Sequence, residues 1–132
     1  MDMRSWITIS QSDPRPLYVQ VIDQVKRRVS AGDLLPGAEL PSIRQLAAEL
    51  QISVITIKRA YLELERDGVI LTRQGKGSFV ADQPGLATDL LDREMRDLLA
   101  RAIAAGRLLG KSKYEMNRLV DDFFEQNPEG DS

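Results

Sequence analysis

A mainly α-helical chain with one small β-wing is expected from this sequence of 132 residues, and three features carry that expectation. Apolar residues recur at helical spacing in five separate stretches, the last two beyond a Pro-Gly linker. Only Gln51 and Ile52 separate the second stretch from the third, which forces a sharp helix-turn-helix. Directly after the third, the period changes to that of two short strands around Gly75-Lys76-Gly77. Together these describe a winged helix-turn-helix domain over residues 1–83 and a short two-helix C-terminal appendage over residues 84–132.

From the N-terminus, Met1 to Asp13 mixes Trp6, Ile7 and Ile9 with polar residues and is expected to be an extended arm packed on the domain. Asp13-Pro-Arg-Pro16 opens a helix, since proline is tolerated where its missing N–H would be unpaired anyway. Leu17, Tyr18, Val21, Ile22, Val25 and Val29 form its buried stripe. Lys26, Arg27 and Arg28 suit the negative end of its dipole, and Gly32 closes it. Asp33 to Pro41 has Pro-Gly turn chemistry, with a short strand at Glu39-Leu40. Ser42 and Gln45 have capping-box spacing, and Ile43, Leu46, Ala47 and Leu50 give the following helix its apolar face.

The third helix runs from a cap at Ser53 to a left-handed terminator at Gly68. Ile57, Ala60, Tyr61 and Leu64 face a core, while Val54, Ile55, Lys58, Arg59 and Leu62 lie opposite. Exposed β-branched residues beside two cations are an odd composition for a merely solvated face. Val69 to Arg73 and Ser78 to Ala81 are the strands of the hairpin. Asp82 to Gly85 is a linker. Thr88 to about Ala105 then carries Leu91, Met95, Leu98, Leu99, Ala102 and Ile103 at helical spacing, with a break expected at Gly106 to Gly110. Lys111 to about Gln126 is the last helix, with Met116, Leu119, Val120, Phe123 and Phe124 as its stripe, and Asn127 to Ser132 should fray.

Composition excludes several chemistries. There is no cysteine and no histidine, which removes disulfides, thiolate metal sites, most zinc sites and every Ser-His or Cys-His nucleophile pair. No metal and no cofactor are expected. No secretion signal or membrane span is visible, so the expected compartment is the cytoplasm. Net charge is −2, but residues 1–83 hold 11 Lys/Arg against 10 Asp/Glu, whereas residues 84–132 hold 7 against 10. The positive excess belongs to the winged part. Asp121, Asp122 and Glu125 with Asp89, Asp92 and Glu94 read as a solvated acidic face rather than a metal or catalytic site.

The second helix of a helix-turn-helix fits the major groove of double-stranded DNA, while the preceding helix and the wing hold the backbone. The residue types suit that role. Arg44, Lys58, Arg59, Arg73 and Lys76 can share one face, Thr56 can add a hydroxyl contact, and the N–H groups behind Ser53 can meet a phosphate. Val54 and Ile55 would touch thymine methyls or sugars. The appended stripes are too apolar for a helical hairpin to bury within itself. Leu91, Met95, Leu98, Leu99, Ile103, Met116, Leu119, Val120, Phe123 and Phe124 are therefore expected to pack on the winged domain, on a second subunit, or on both.

LPSIRQLAAEL at 40–50, TIKRAYLELERDGVI at 56–70 and RQGKGSFVA at 73–81 together resemble the GntR family of bacterial transcription regulators, and PLYVQVIDQV at 16–25 is similar to that family's first helix. The short appendage resembles the YtrA-type branch. This resemblance implies a homodimeric repressor, often of a transporter operon, that binds a palindromic operator. It places the family's DNA-contacting arginine on Arg44, its recognition-helix polar positions on Ser53, Thr56 and Lys58, and its wing tip on Gly75 to Gly77. Many members carry Arg, Pro or Asn and then Thr where this chain has Val54 and Ile55, so base readout here leans toward apolar contact. No inducer is legible. The alternatives are a winged helix that docks on a protein through Val54, Ile55 and Leu62, and a carboxylate-based or metal enzyme, which the missing His and Cys disfavour.

Overall fold

The computed structural model describes residues 7–128, and the chain folds as two compact units, Met1–Leu91 and Asp92–Ser132. Its elements are α1 (Leu17–Ser30), α2 (Ile43–Leu50), α3 (Val54–Arg66), β1 (Ile70–Arg73), β2 (Gly77–Val80), α4 (Leu86–Leu108) and α5 (Lys113–Gln126). The expected packing of Trp6 and the expected fraying of residues 129–132 fall outside the described residues.

In the first unit, α3 is the central helix. Ile57, Ala60 and Leu64 are fully buried and Tyr61 nearly so, meeting Val21, Val25 and Val29 of α1 and Leu46 of α2 in one core cluster. At roughly 1.5–3 kcal/mol for each large apolar side chain removed from water, this stripe is what keeps α3 in place. The ends of α3 follow from local chemistry. The Ser53 hydroxyl accepts from the Thr56 N–H at 3.1 Å, and Gly68, at φ 76°, lets the Val69 N–H turn back to the Leu64 carbonyl at 2.9 Å. The capping box of α2 is also present: Gln45 N–H donates to the Ser42 hydroxyl at 3.1 Å, and Ser42 N–H donates to the Gln45 side chain at 2.9 Å.

Between α2 and α3 the chain turns at Gln51, whose φ of 56° makes it the one left-handed non-glycine among the described residues. That conformation directs the Ile52 N–H back to the Ala47 carbonyl at 3.1 Å and closes α2.

β1 and β2 pair antiparallel with Ile70 opposite Val80 and Arg73 opposite Gly77. The expected strand at Glu39-Leu40 is present as a bridge from Glu39 to Phe79, extended by Val80 N–H to Ala38 carbonyl and Leu40 N–H to Ser78 carbonyl, each 2.8 Å. The wing thus has its base stitched to the segment that leads into α2. At the other end, Ile7 is buried and Ile9 packs against the core. Gln20 and Gln24 hold this arm by their amides: Ser10 N–H donates to Gln20 Oε1 at 3.0 Å, and Thr8 N–H donates to Gln24 Oε1 at 2.7 Å. Two glutamines one turn apart therefore do for the arm what a neighbouring strand would do.

Several expected boundaries move. Pro16 stands at the N-cap of α1 rather than inside its first turn. α4 begins at Leu86, earlier than Thr88, because Leu86 and Leu90 lie one turn apart and both enter the core of the first unit. The expected break over Gly106 to Gly110 falls at its far end, and Gly106 itself stays in the helix. Gly106 is a buried helical residue, and a Cβ there would stand 2.5 Å from the Met116 sulfur, so its small size admits α5 and does not stop α4. The helix stops instead before Gly110, at φ 75°. α5 starts at Lys113, two residues later than expected, behind a Ser112–Glu115 capping box that fixes its first turn. Within the second unit, α5 buries none of its residues.

Candidate nucleic-acid interface

The face of α3 opposite its core stripe is solvent-exposed over Ile55 (79%), Leu62 (53%), Lys58 and Arg59, with Val54 (46%) at its N-terminal edge. Helical spacing explains the grouping, since Ile55 and Arg59, and Lys58 and Leu62, are each four residues apart. Arg44 is exposed in the first turn of α2, and Arg73, Gly75, Lys76 and Gly77 are exposed at the end of the hairpin. The turn is tight: Lys76 N–H donates to the Arg73 carbonyl at 2.9 Å, and Gly75 at φ 78° supplies the backbone conformation that the reversal requires. Every expected DNA-facing residue is thus on the surface of the first unit except Thr56, which is half-buried. Its hydroxyl lies 2.7 Å from that of Ser53, so the pair first serve the helix cap.

Tyr61 ties this surface together from beneath. Its hydroxyl donates to the Pro41 carbonyl at 2.7 Å, joining α3 to the residue before the N-cap of α2, the helix that carries Arg44. Burial, with the nearby Glu49 charge as the lesser cause, pushes the Tyr61 phenol well above its ordinary range. Lys26 pairs with Asp67 at 2.9 Å, pinning the end of α1 to the end of α3.

Two cation–ring contacts lie at this surface, the second across the hairpin and the first with no signal in the sequence. The Arg59 guanidinium stacks on the Tyr18 ring at 3.9 Å, and that of Arg73 stands 5.6 Å from the Phe79 ring. Tyr18, expected in the buried stripe of α1, is half-exposed, and no local pattern announces a partner so distant along the chain.

Comparison with known proteins identifies the family. The family described as bacterial regulatory proteins, gntR family, matches residues 17–80. The chain is 36% identical to YhcF, an uncharacterized HTH-type transcriptional regulator of Bacillus subtilis, over 84% of this chain and 92% of that one. This protein belongs to the GntR family. It is 41% identical to the HTH-type transcriptional repressor YtrA of Bacillus subtilis over 54% of this chain and 58% of that protein. Among solved structures, a GntR family transcriptional regulator from Listeria monocytogenes superposes with a TM-score of 0.73 at 28% identity, covering 84% of this chain and 97% of the other. YtrA from Sulfolobus acidocaldarius gives 0.60 at 31% identity, covering 75% and 98%. The DNA-binding domain of AraR in complex with operator ORX1 gives 0.52 at 28% identity, covering 57% and 96%. The chain is accordingly a DNA-binding transcription regulator of the GntR family with YtrA among its relatives, not an enzyme. No helix among the described residues is long and apolar enough to cross a membrane.

Proposed function

We propose that this regulator is a cytoplasmic homodimeric repressor that binds a palindromic operator through the 53–68 helix and the 73–80 wing. The observation that carries this reading is the outer face of α3, where an exposed Ile55 stands beside two cations that no carboxylate bonds among the described residues. A lysine or arginine without a local counter-charge is what a phosphate backbone recruits, and an exposed branched apolar side chain suits a thymine methyl. Ser53, Val54, Ile55, Thr56 and Lys58 form the groove-facing set in this reading, and Arg44, Arg59, Arg73 and Gly75 to Gly77 the backbone-holding set. The dimer is supported by the appendage, whose Met95, Leu98, Leu99, Ile103, Leu119, Val120, Phe123 and Phe124 stay 38–62% exposed in the chain. That much aligned apolar surface on a soluble chain suits an interface, and two-fold pairing matches a palindrome. The likeness to YtrA supports repression, and the family resemblance supports a transporter operon as the target.

The test is a mobility-shift titration on promoter fragments of the protein's own operon across salt. Six to ten phosphate contacts should cost roughly 10³ to 10⁵ in affinity between about 50 and 200 mM salt. Arg44→Ala and Lys76→Ala should weaken all DNA alike, whereas Ile55→Ala should change the preference among bases. No retardation of any such fragment, or a flat salt response, overturns the reading. The exposed Val54, Ile55 and Leu62 also suit docking on a protein, and a salt-insensitive association with a protein partner would favour that second reading.

A further inference from the structure

Several cations of the first unit are held in one of two ways. Arg15 is bonded to Asp13 and Asp23, Lys26 to Asp67 and Arg66 to Glu63, so each of these charges is compensated where it stands. Arg59 and Arg73 are held by aromatic rings instead. The difference is functional. A carboxylate fixes a guanidinium by cancelling its charge and occupying its N–H donors; a ring fixes it through the π face and leaves charge and in-plane donors available. Glu63, one turn along α3 from Arg59, is engaged by Arg66 at 3.4 Å, and among the described residues no carboxylate bonds Arg59. The Tyr18 hydroxyl likewise has no partner there.

We propose that Tyr18 is a positioning residue for DNA binding: from the first turn of α1, its ring holds Arg59 as a pre-oriented, uncompensated cation for the DNA backbone. This rests on the DNA-binding function proposed for the α3 face. A long side chain that is ordered only on binding subtracts its lost rotamer freedom from affinity, whereas one ordered during folding does not. With its guanidinium carbon 3.9 Å over the ring centroid, Arg59 is held against α1 before a phosphate arrives, and its N–H donors are not spent on a carboxylate. Phe79 stands in the same relation to Arg73 on the wing, at the longer distance of 5.6 Å.

The experiment is a double-mutant cycle on DNA affinity with Tyr18→Leu, Tyr18→Phe and Arg59→Ala, using the operator fragment bound by the wild type and recording the melting temperature of every variant. Tyr18→Phe keeps the ring and should bind within about twofold of wild type, as expected when only the π face acts. Tyr18→Leu should bind roughly 2- to 5-fold more weakly per protomer, or roughly 4- to 25-fold for a dimer on both half-sites. In the Arg59→Ala background it should cost nothing further. Tyr18→Leu should also lower the salt slope, by up to about 0.9 for each phosphate that Arg59 neutralises, a change that lost stability alone would not produce. If Tyr18→Leu does not fold, Tyr18→Met, unbranched and without a π face, takes its place in the cycle. Wild-type affinity in the ring-less variant overturns the proposal. So does equal weakening by Tyr18→Phe, which would assign the work to the hydroxyl, or an undiminished loss when Arg59 is already alanine. A wild-type protein that binds no DNA removes this proposal and the DNA-binding function together; one that binds with an additive cycle removes this proposal alone.

Discussion

Phe123→Ala separates a self-association surface from ordinary helix solvation. Phe123 lies on the α5 stripe and is 62% exposed in the chain, so most of its side chain contributes nothing to the fold of one protomer. Fully burying a phenylalanine side chain yields about 1.5–3 kcal/mol, and burying the roughly three-fifths now in water yields about 1–2 kcal/mol. A two-fold interface presents the residue twice, once from each partner, giving about 2–4 kcal/mol, or roughly 30- to 700-fold in the dimer dissociation constant. Sedimentation equilibrium over a range of protein concentration measures that constant directly. Circular dichroism should show α5 unchanged, because its Ser112–Glu115 capping box is untouched. Tyr114 provides the control. It is 69% exposed and lies nine residues earlier, which at 3.6 residues per turn puts it on the opposite side of α5, so Tyr114→Ala should leave association alone. A dimer constant within about threefold of wild type for Phe123→Ala, or equal weakening by both variants, would refute the reasoning.

Gln51→Gly should raise stability by up to about 1 kcal/mol in urea unfolding, since relief of the left-handed backbone penalty exceeds the extra freedom that glycine has when unfolded; a destabilised variant would mean that the Gln51 side chain is needed. Tyr61→Phe removes the bond to Pro41 and should cost about 1–3 kcal/mol near neutral pH. The raised phenol pKa adds a pH signature: the folded state keeps its proton above about pH 10, where the unfolded chain loses it, so wild-type stability should fall as pH rises beyond that point. Melting temperatures from pH 8 to 11 should show that extra fall in wild type and not in Tyr61→Phe. Gly106→Ala gains up to about 1 kcal/mol of helix propensity but places its Cβ against the Met116 sulfur, so it should be more stabilising in a Met116→Ala background than in wild type, as thermal unfolding measures. An additive double variant would show that the two residues do not meet.

Local chemistry makes α2, α3 and the wing legible. Caps act over three residues, apolar stripes repeat every three or four, and Gly75 and Gly77 flag a reversal, so Ser42, Ser53, Gly68 and the Ile57–Leu64 stripe are readable without any tertiary contact. The ends of α4 are not, because Leu86 joins the helix to meet a core assembled from α1 and α3, and Gly106 stays helical to accommodate Met116. The Ser112–Glu115 box is equally local, and an expected start at Lys111 passes over it.

Residue types and spacing are enough to say that this chain presents a cationic, partly apolar helix beside a wing. They do not say which cations remain uncompensated. That depends on whether a guanidinium meets a carboxylate, as Arg15 meets Asp13, or a ring, as Arg59 meets Tyr18. The partner of Arg59 comes from another helix brought alongside by core packing. Periodicity reports only which way a side chain leaves its own helix; what it meets there is a property of the assembled fold.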